Sequence, residues 1–249
     1  MDNVSDYVKL VNEPWGRMFY DLLFLQLGIE NSPKLKILDF GSGLGVTANH
    51  FAKWHDVTAV EPDEEMIKNS RTENKYTQIC GGASKLSNFE DNTFDMVFCH
   101  NVFEYIEDKS SIFAELFRVL KKGGELSLVK HNRAGRAFHS AVFGNDPQKA
   151  LELVDNDAND TSNYLGTQYI YSNDDVVDFA DKHGGKLKNI FGMRTFWALG
   201  QDNSVKFSDD WYENMLALEN KVADIEEYKQ AAFFNHLIIE KTNNLIKQP

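Results

Sequence analysis

Between residues 35 and 129, short apolar runs alternate with stretches of helical periodicity at the spacing of βαβ units, which predicts a parallel sheet covered by helices. Lys36–Phe40, Asp56–Glu61, Thr77–Cys80, Met96–Cys99 and Glu125–Val129 read as strands. Gly45–Lys53, Asp63–Glu73 and Ser110–Leu120 read as helices. In the last, Ser110 is the expected cap and Ile112, Phe113, Leu116, Phe117, Val119 and Leu120 form the apolar face. Lys121-Lys122-Gly123-Gly124 stops it.

The pattern changes after Val129. A longer polar region over 131–171 precedes a helix near 173–183 and two strands near Leu187–Trp197 and Phe233–Glu240. About 35 residues separate those strands, too many for a tight hairpin. The intervening 207–228 stretch has helical spacing through Trp211, Met215, Leu218, Val222 and Ile225. Together with an N-terminal helix over Asn3–Leu27, this predicts one α/β domain with a doubly wound, mostly parallel seven-stranded sheet. Residues 30–130 would form its ligand-binding core, and 1–29, 131–171 and 200–228 a lid over the carboxyl ends of the strands, where open α/β sheets bind ligands.

Composition narrows the class. With 249 residues and 42% hydrophobic content, the chain can bury a sizeable core. It has no apolar run long enough for a membrane span and no leader-like start, so a cytoplasmic location and no membrane partner are expected. Cys80 and Cys99 lack metal-ligand spacing and read as two buried thiols, and no metal is expected. The net charge of −12 argues against general nucleic-acid binding. Residues 140–228 hold 17 acidic and 7 basic side chains, a net of −10, whereas 121–136 hold five basic and one acidic. An anionic ligand is therefore expected near the second stretch.

The first strand runs directly into Asp39-Phe40-Gly41-Ser42-Gly43-Leu44-Gly45. Glycines there permit positive φ and bare backbone against a ligand. Glu61 ends the second strand, 22 residues after Asp39, where a carboxylate can accept from both hydroxyls of a ribose. A dinucleotide fingerprint would read G-x-G-x-x-G/A, whereas these glycines fall as G-x-G-x-G with Val at 46. A carboxylate beside the turn suits a sulfonium cofactor with its own ammonium group better than a pyrophosphate.

These features, with Val57-Thr58-Ala59-Val60-Glu61 and Phe94-Asp95-Met96-Val97-Phe98-Cys99-His100, resemble the motifs of class I S-adenosylmethionine-dependent methyltransferases over nearly 40% of the chain. The resemblance implies a Rossmann-like methyltransferase fold, S-adenosylmethionine as cofactor and S-adenosylhomocysteine as product. It further implies that Asp39, Gly41, Ser42, Gly43, Glu61, Pro62 and Met66 line the cofactor, that Gly82, Ala83 and Ser84 flank the adenine, and that His100 and Asn101 lie near the methionine moiety and the acceptor. Asp63 serves equally as a helix cap, Met66 equally as core, and Glu104 and Tyr105 stand open between base and packing roles.

Methyl transfer from a sulfonium is an in-line displacement that depends chiefly on positioning. Candidates to grip an anionic acceptor are Arg194, with Arg133 or Lys130, beside His100. Leu128-Val129-Lys130-His131-Asn132, Gly192-Met193-Arg194-Thr195-Phe196, Leu218-Glu219 and Pro14-Trp15-Gly16-Arg17-Met18-Phe19-Tyr20 are similar in order to the bacterial methyltransferases that esterify carboxymethoxyuridine at the tRNA wobble position. In that family an arginine of the N-terminal helix reaches the cofactor carboxylate, which makes Arg17 the candidate here. The acceptor is thus a small molecule or a tRNA. A nicotinamide-dependent oxidoreductase and a non-catalytic S-adenosylmethionine-binding protein are the alternative readings.

Overall fold

A computed structural model describes residues 4–155, 160–163, 166–169 and 171–242. The chain falls into two compact units. One comprises Ile29–Leu128, Asn173–Asn189 and the chain from Leu237; the other comprises the chain to Gly28, Val129–Ser172 and Ile190–His236.

The first unit is built on a seven-stranded sheet of β1 (Lys36–Phe40), β2 (Asp56–Glu61), β3 (Thr77–Cys80), β4 (Phe94–His100), β5 (Leu120–His131), β8 (Gly185–Met193) and β9 (Phe234–Lys241), in the order β3-β2-β1-β4-β5-β9-β8. β1 pairs in parallel with both β2 and β4, and β2 in parallel with β3. The order reverses at β1, so the β1 and β4 ends flank the switch point at which such sheets bind ligands. β1 is buried at every residue after Lys36 because it is central, and those residues are apolar except Asp39.

α3 (Val46–Phe51) follows β1, α4 (Glu64–Lys68) follows β2, α5 (Lys109–Val119) lies between β4 and β5, and α8 (Asn173–Lys182) precedes β8. Asp108, not Ser110, caps α5: its Oδ1 accepts from Ser111 N at 3.1 Å and its Oδ2 from the Ser111 hydroxyl at 2.5 Å. At the other end of α5, Lys241 Nζ donates to the carbonyls of Phe117 and Leu120, both left open by the end of the helix. α4 is one turn and a half, far shorter than the 63–73 periodicity suggests, because its C-cap Asn69 has already left helical geometry.

In the second unit the expected single N-terminal helix is two, α1 (Val4–Asn12) and α2 (Pro14–Leu27); Asn3 lies outside the described residues. Pro14 has no N–H to continue α1 and starts α2 instead. Gly16 lets the two helices meet, since a Cβ there would overlap the backbone of Val11. Met18, Phe19, Leu22 and Leu23 of α2 pack with Val129, Met193, Trp197, Tyr212 and Phe234. The polar 131–171 stretch carries α6 (Arg133–Val142), α7 (Pro147–Val154) and the antiparallel pair β6 (Asp160–Asn163) and β7 (Gly166–Gln168). Residues 156–159, 164, 165 and 170 of that expected lid segment lie outside the described residues. The 207–228 helix is α9 (Asp209–Val222) followed by a short α10 (Glu226–Lys229). Among the described residues no helix is long and apolar enough to cross a membrane.

Candidate functional site

At the end of β1, Gly41, Gly43 and Gly45 all have positive φ (76°, 52° and 64°), so the chain doubles back within five residues. The three serve different ends. A Cβ on Gly41 would overlap the Val102 side chain, and one on Gly45 the Tyr76 hydroxyl, but one on Gly43 would meet no atom within 4 Å. Gly43 therefore presents bare backbone to open space.

The turn is tied to β2 by backbone and carboxylate. Gly41 N and Ser42 N both donate to Val60 O, at 2.8 and 3.1 Å. Glu61 Oε2 accepts from Gly43 N at 2.8 Å and its Oε1 from Asp63 N at 3.0 Å. Asp63 caps α4 through Glu65 N and Met66 N, as one of its two readings anticipates. Burial raises the Glu61 carboxyl above its ordinary range, and the two N–H donors hold it back.

Asp39 is strongly perturbed. It is 3% exposed. Burial first, and the neighbouring Glu61 charge second, push it up to about 7, while the backbone N–H of Ala48 lowers it. Its Oδ2 has no hydrogen-bond partner among the described residues, nor has the buried Ser42 Oγ of the same turn. Two buried carboxylates with one unsatisfied oxygen are costly alone and suit a ligand that brings positive charge and donors. S-adenosylmethionine brings a sulfonium, an ammonium and two ribose hydroxyls, so the donor set fits it.

The other expected residues gather along the same strand ends. Met66, the buried residue of α4, is 3% exposed. Gly81 has φ 146° and leads through Gly82 into a 3-10 turn over Ala83–Asn88, in which Ser84 is exposed. Pro62 is exposed. His100 ends β4 with Nε2 2.8 Å from Ser127 Oγ and its ring stacked on Phe98. Asn101 follows with φ 56°, and its buried Oδ1 has no hydrogen-bond partner. Cys99 is buried, but Cys80 at the β3 end is exposed, contrary to the expectation of two buried thiols, because β3 is the sheet edge.

The second unit holds the expected basic residues. Arg17 pairs with Asp21 at 3.5 Å and Asp209 at 3.8 Å and stacks over Tyr212 at 4.0 Å. Lys130 Nζ donates to His131 O at 3.0 Å and lies over the Tyr171 ring. Arg133 has a buried Nε without a partner, and Arg136 reaches Gln168 Oε1 at 3.4 Å. Arg194, with φ 59°, lies over the rings of Phe233 and Phe234 at 5.4 and 5.6 Å. Its Nε is buried without a hydrogen bond, and burial lowers its pKa to about 10 despite the charge of Glu219.

Sequence reasoning did not give Glu219 its task. Its two oxygens accept from Thr195 N, Phe196 N and Trp197 N, each at 2.7 Å, so the acid fixes the turn immediately after Arg194. Lys206 was missed altogether. It is 2% exposed, and its single signal in the sequence is that it is the one basic residue between Thr195 and Asn220.

Comparison with known proteins agrees with this geometry. A family described as a methyltransferase domain matches residues 38–128. The tRNA 5-carboxymethoxyuridine methyltransferase of Escherichia coli (strain K12) is 25% identical over 217 residues, spanning 84% of this chain and 80% of the relative. A ubiquinone biosynthesis O-methyltransferase of Photobacterium profundum is 24% identical over 59% of this chain and 65% of the relative. Among solved structures, a SAM-dependent methyltransferase from Archaeoglobus fulgidus superposes with a TM-score of 0.62 at 14% identity, covering 94% of this chain and 99% of that one. The match to a methyltransferase domain over residues 38–128, on a seven-stranded sheet with this glycine turn and its two carboxylates, makes the protein an S-adenosylmethionine-dependent methyltransferase.

Proposed function

We propose that the enzyme transfers the methyl group of S-adenosylmethionine to an anionic acceptor, with Asp39, Gly41, Ser42, Gly43, Glu61, Pro62, Met66, Ala83, Ser84, His100 and Asn101 around the cofactor and Arg194 holding the acceptor. The observation that carries the acceptor reading is the Arg194 guanidinium, whose buried Nε makes no hydrogen bond among the described residues while Glu219, the acid whose charge it feels, accepts from three backbone N–H groups. A cation removed from water in this way is costly unless an anion joins it. Arg133, with its own unpartnered Nε, is the second basic candidate; Lys130 is engaged with His131 O and the Tyr171 ring. Arg17 is committed to Asp21 and Asp209, so a role toward the cofactor carboxylate requires it to exchange those partners.

An ionised acceptor needs desolvation and alignment more than a base, and displacement at the methyl carbon then proceeds once the nucleophile is held in line, about 3 to 3.5 Å away. The Escherichia coli relative acts, by its name, on a carboxymethoxyuridine of tRNA, so a wobble-uridine carboxylate is the first acceptor to try and a small carboxylate the second. Labelled S-adenosylmethionine should place its methyl group in undermodified tRNA or in a small-molecule fraction of an extract. Label in neither fraction, with S-adenosylhomocysteine still bound, would favour a non-catalytic binding protein. Tight NADH binding without S-adenosylhomocysteine binding would overturn the cofactor assignment.

A further inference from the structure

A second cation lies near Arg194, and rings connect the two. The His139 ring stacks on Phe143 (centroids 4.8 Å apart) and meets Phe233 edge-on at 5.0 Å. Arg194 sits over Phe233 at 5.4 Å, and Lys206 Nζ over Phe143 at 5.3 Å, Trp197 at 5.1 Å and Trp15 at 5.7 Å. Lys206 Nζ donates to Gly200 O at 3.1 Å. Burial, then the Arg194 charge, lowers Lys206 to about 8, partly opposed by Asp202. Burial, then Arg194, Lys206 and Arg136, keeps His139 below its ordinary range and thus neutral at pH 7. Glu219 and Asp202 each offset part of this charge, but among the described residues neither hydrogen-bonds a cation: Glu219 accepts from the 195–197 turn and Asp202 from Ser204.

We propose that Arg194 and Lys206 together bind the carboxylate of a substrate whose body is flat and apolar, with the neutral His139 ring between them. The inference rests on the reading of an anionic acceptor and puts Lys206 in the place expected of Lys130. Two cations that repel one another among aromatic rings are stabilised further by an anion that divides its charge between them. The rings decide the kind of anion. They exclude water, which penalises a phosphate dianion more than a carboxylate monoanion, and their faces stack on a planar group. Arg offers a two-pronged donor and Lys a point charge, a combination that fits one carboxylate approached from two sides.

The test uses the whole chain and benzoate as probe, with benzamide and inorganic phosphate as controls. Trp15 and Trp197 fluorescence reports binding, and the imidazole protons of His139 report the charge change. Benzoate is expected to bind, benzamide and phosphate to bind more weakly, and the His139 titration to move up when benzoate is present, because an added anion favours the charged ring. Arg194→Met and Lys206→Met should each weaken benzoate by about tenfold or more, the loss of one charge-assisted contact. Lys206→Arg keeps the charge and should retain binding, which separates a lost contact from a misfolded chain. Phosphate binding as tightly as benzoate, or Lys206→Met and Lys206→Arg both matching wild type, would overturn the assignment. Calorimetry with S-adenosylhomocysteine runs in parallel: normal binding there with no benzoate binding sinks this site alone, whereas benzoate binding without S-adenosylhomocysteine binding sinks the cofactor reading alone.

Discussion

At the scale of single residues, Asp39 is the most exacting test. Its folded pKa, about 7, lies above the ordinary 3.8, so the protonated form is the one the unliganded fold prefers. Its contribution to stability is complete below about pH 4 and is lost as pH rises through about 7. A cationic ligand prefers the ionised form, so S-adenosylmethionine affinity should rise across the same window. Calorimetry from pH 5.5 to 8.5 should show that rise in wild type and none in Asp39→Asn. Glu61→Ala should weaken the cofactor by about 1 to 3 kcal/mol and should also lower the melting temperature, because Gly43 N–H and Asp63 N–H lose their acceptors. Gly43→Val should fold with modest strain yet lose the cofactor, since its Cβ meets no protein atom; retained binding would make the turn merely structural. The glycines and acids of this turn were readable because each is dictated by local backbone geometry. Lys206 and His139 were not, because their meaning depends on rings distant in sequence, Trp15 and Phe143 for Lys206 and Phe233 for His139.

At the scale of elements, strands β1, β2 and β3 match their sequence boundaries because apolar runs between turns admit few alternatives. β4 and β5 extend beyond them, β5 through residues such as Lys121, whose ammonium reaches Asp95. Caps and breaks were harder. Asp108 and Ser110 are equally good caps on paper, and geometry chooses Asp108. Asp108→Ala should therefore destabilise by about 1 kcal/mol in thermal unfolding, while Ser110→Ala should stay within about 0.5 kcal/mol. The N-terminal pattern runs smoothly across Pro14 in hydropathy, and only the missing N–H divides α1 from α2. α6 and α7 were hidden in a stretch read as polar. Their buried faces are thin: Gly135 and Ala137 in one, Leu153 in the other.

For the molecule as a whole, the fold class was legible because alternating periodicities over 35–129 fix a parallel sheet, whereas the division into two units was not. Three separate stretches of chain make up each unit, and no linker-like composition marks the crossings. The charge of −12 bears on the acceptor. If the substrate is tRNA, filter binding should show weak affinity that falls steeply between about 50 and 200 mM salt, and methyl transfer should survive only at the low end. A small carboxylate should instead be methylated at rates nearly independent of salt. Hydrogen exchange with S-adenosylhomocysteine should raise protection at residues 41–48 and 61–66, where the glycine turn and the α4 cap lie.

The unsatisfied carboxylate of Asp39 also bears on what happens after the reaction. Transfer of the methyl group removes one positive charge from the cofactor, leaving a neutral thioether. A site whose fixed field is negative thus holds its substrate more firmly than its product and helps to empty itself with each turnover. The preference grows as Asp39 ionises. Above pH 7 the spent cofactor should therefore inhibit least in proportion to the fresh one, and Asp39→Asn should turn the enzyme toward slow exchange and strong inhibition by its own product.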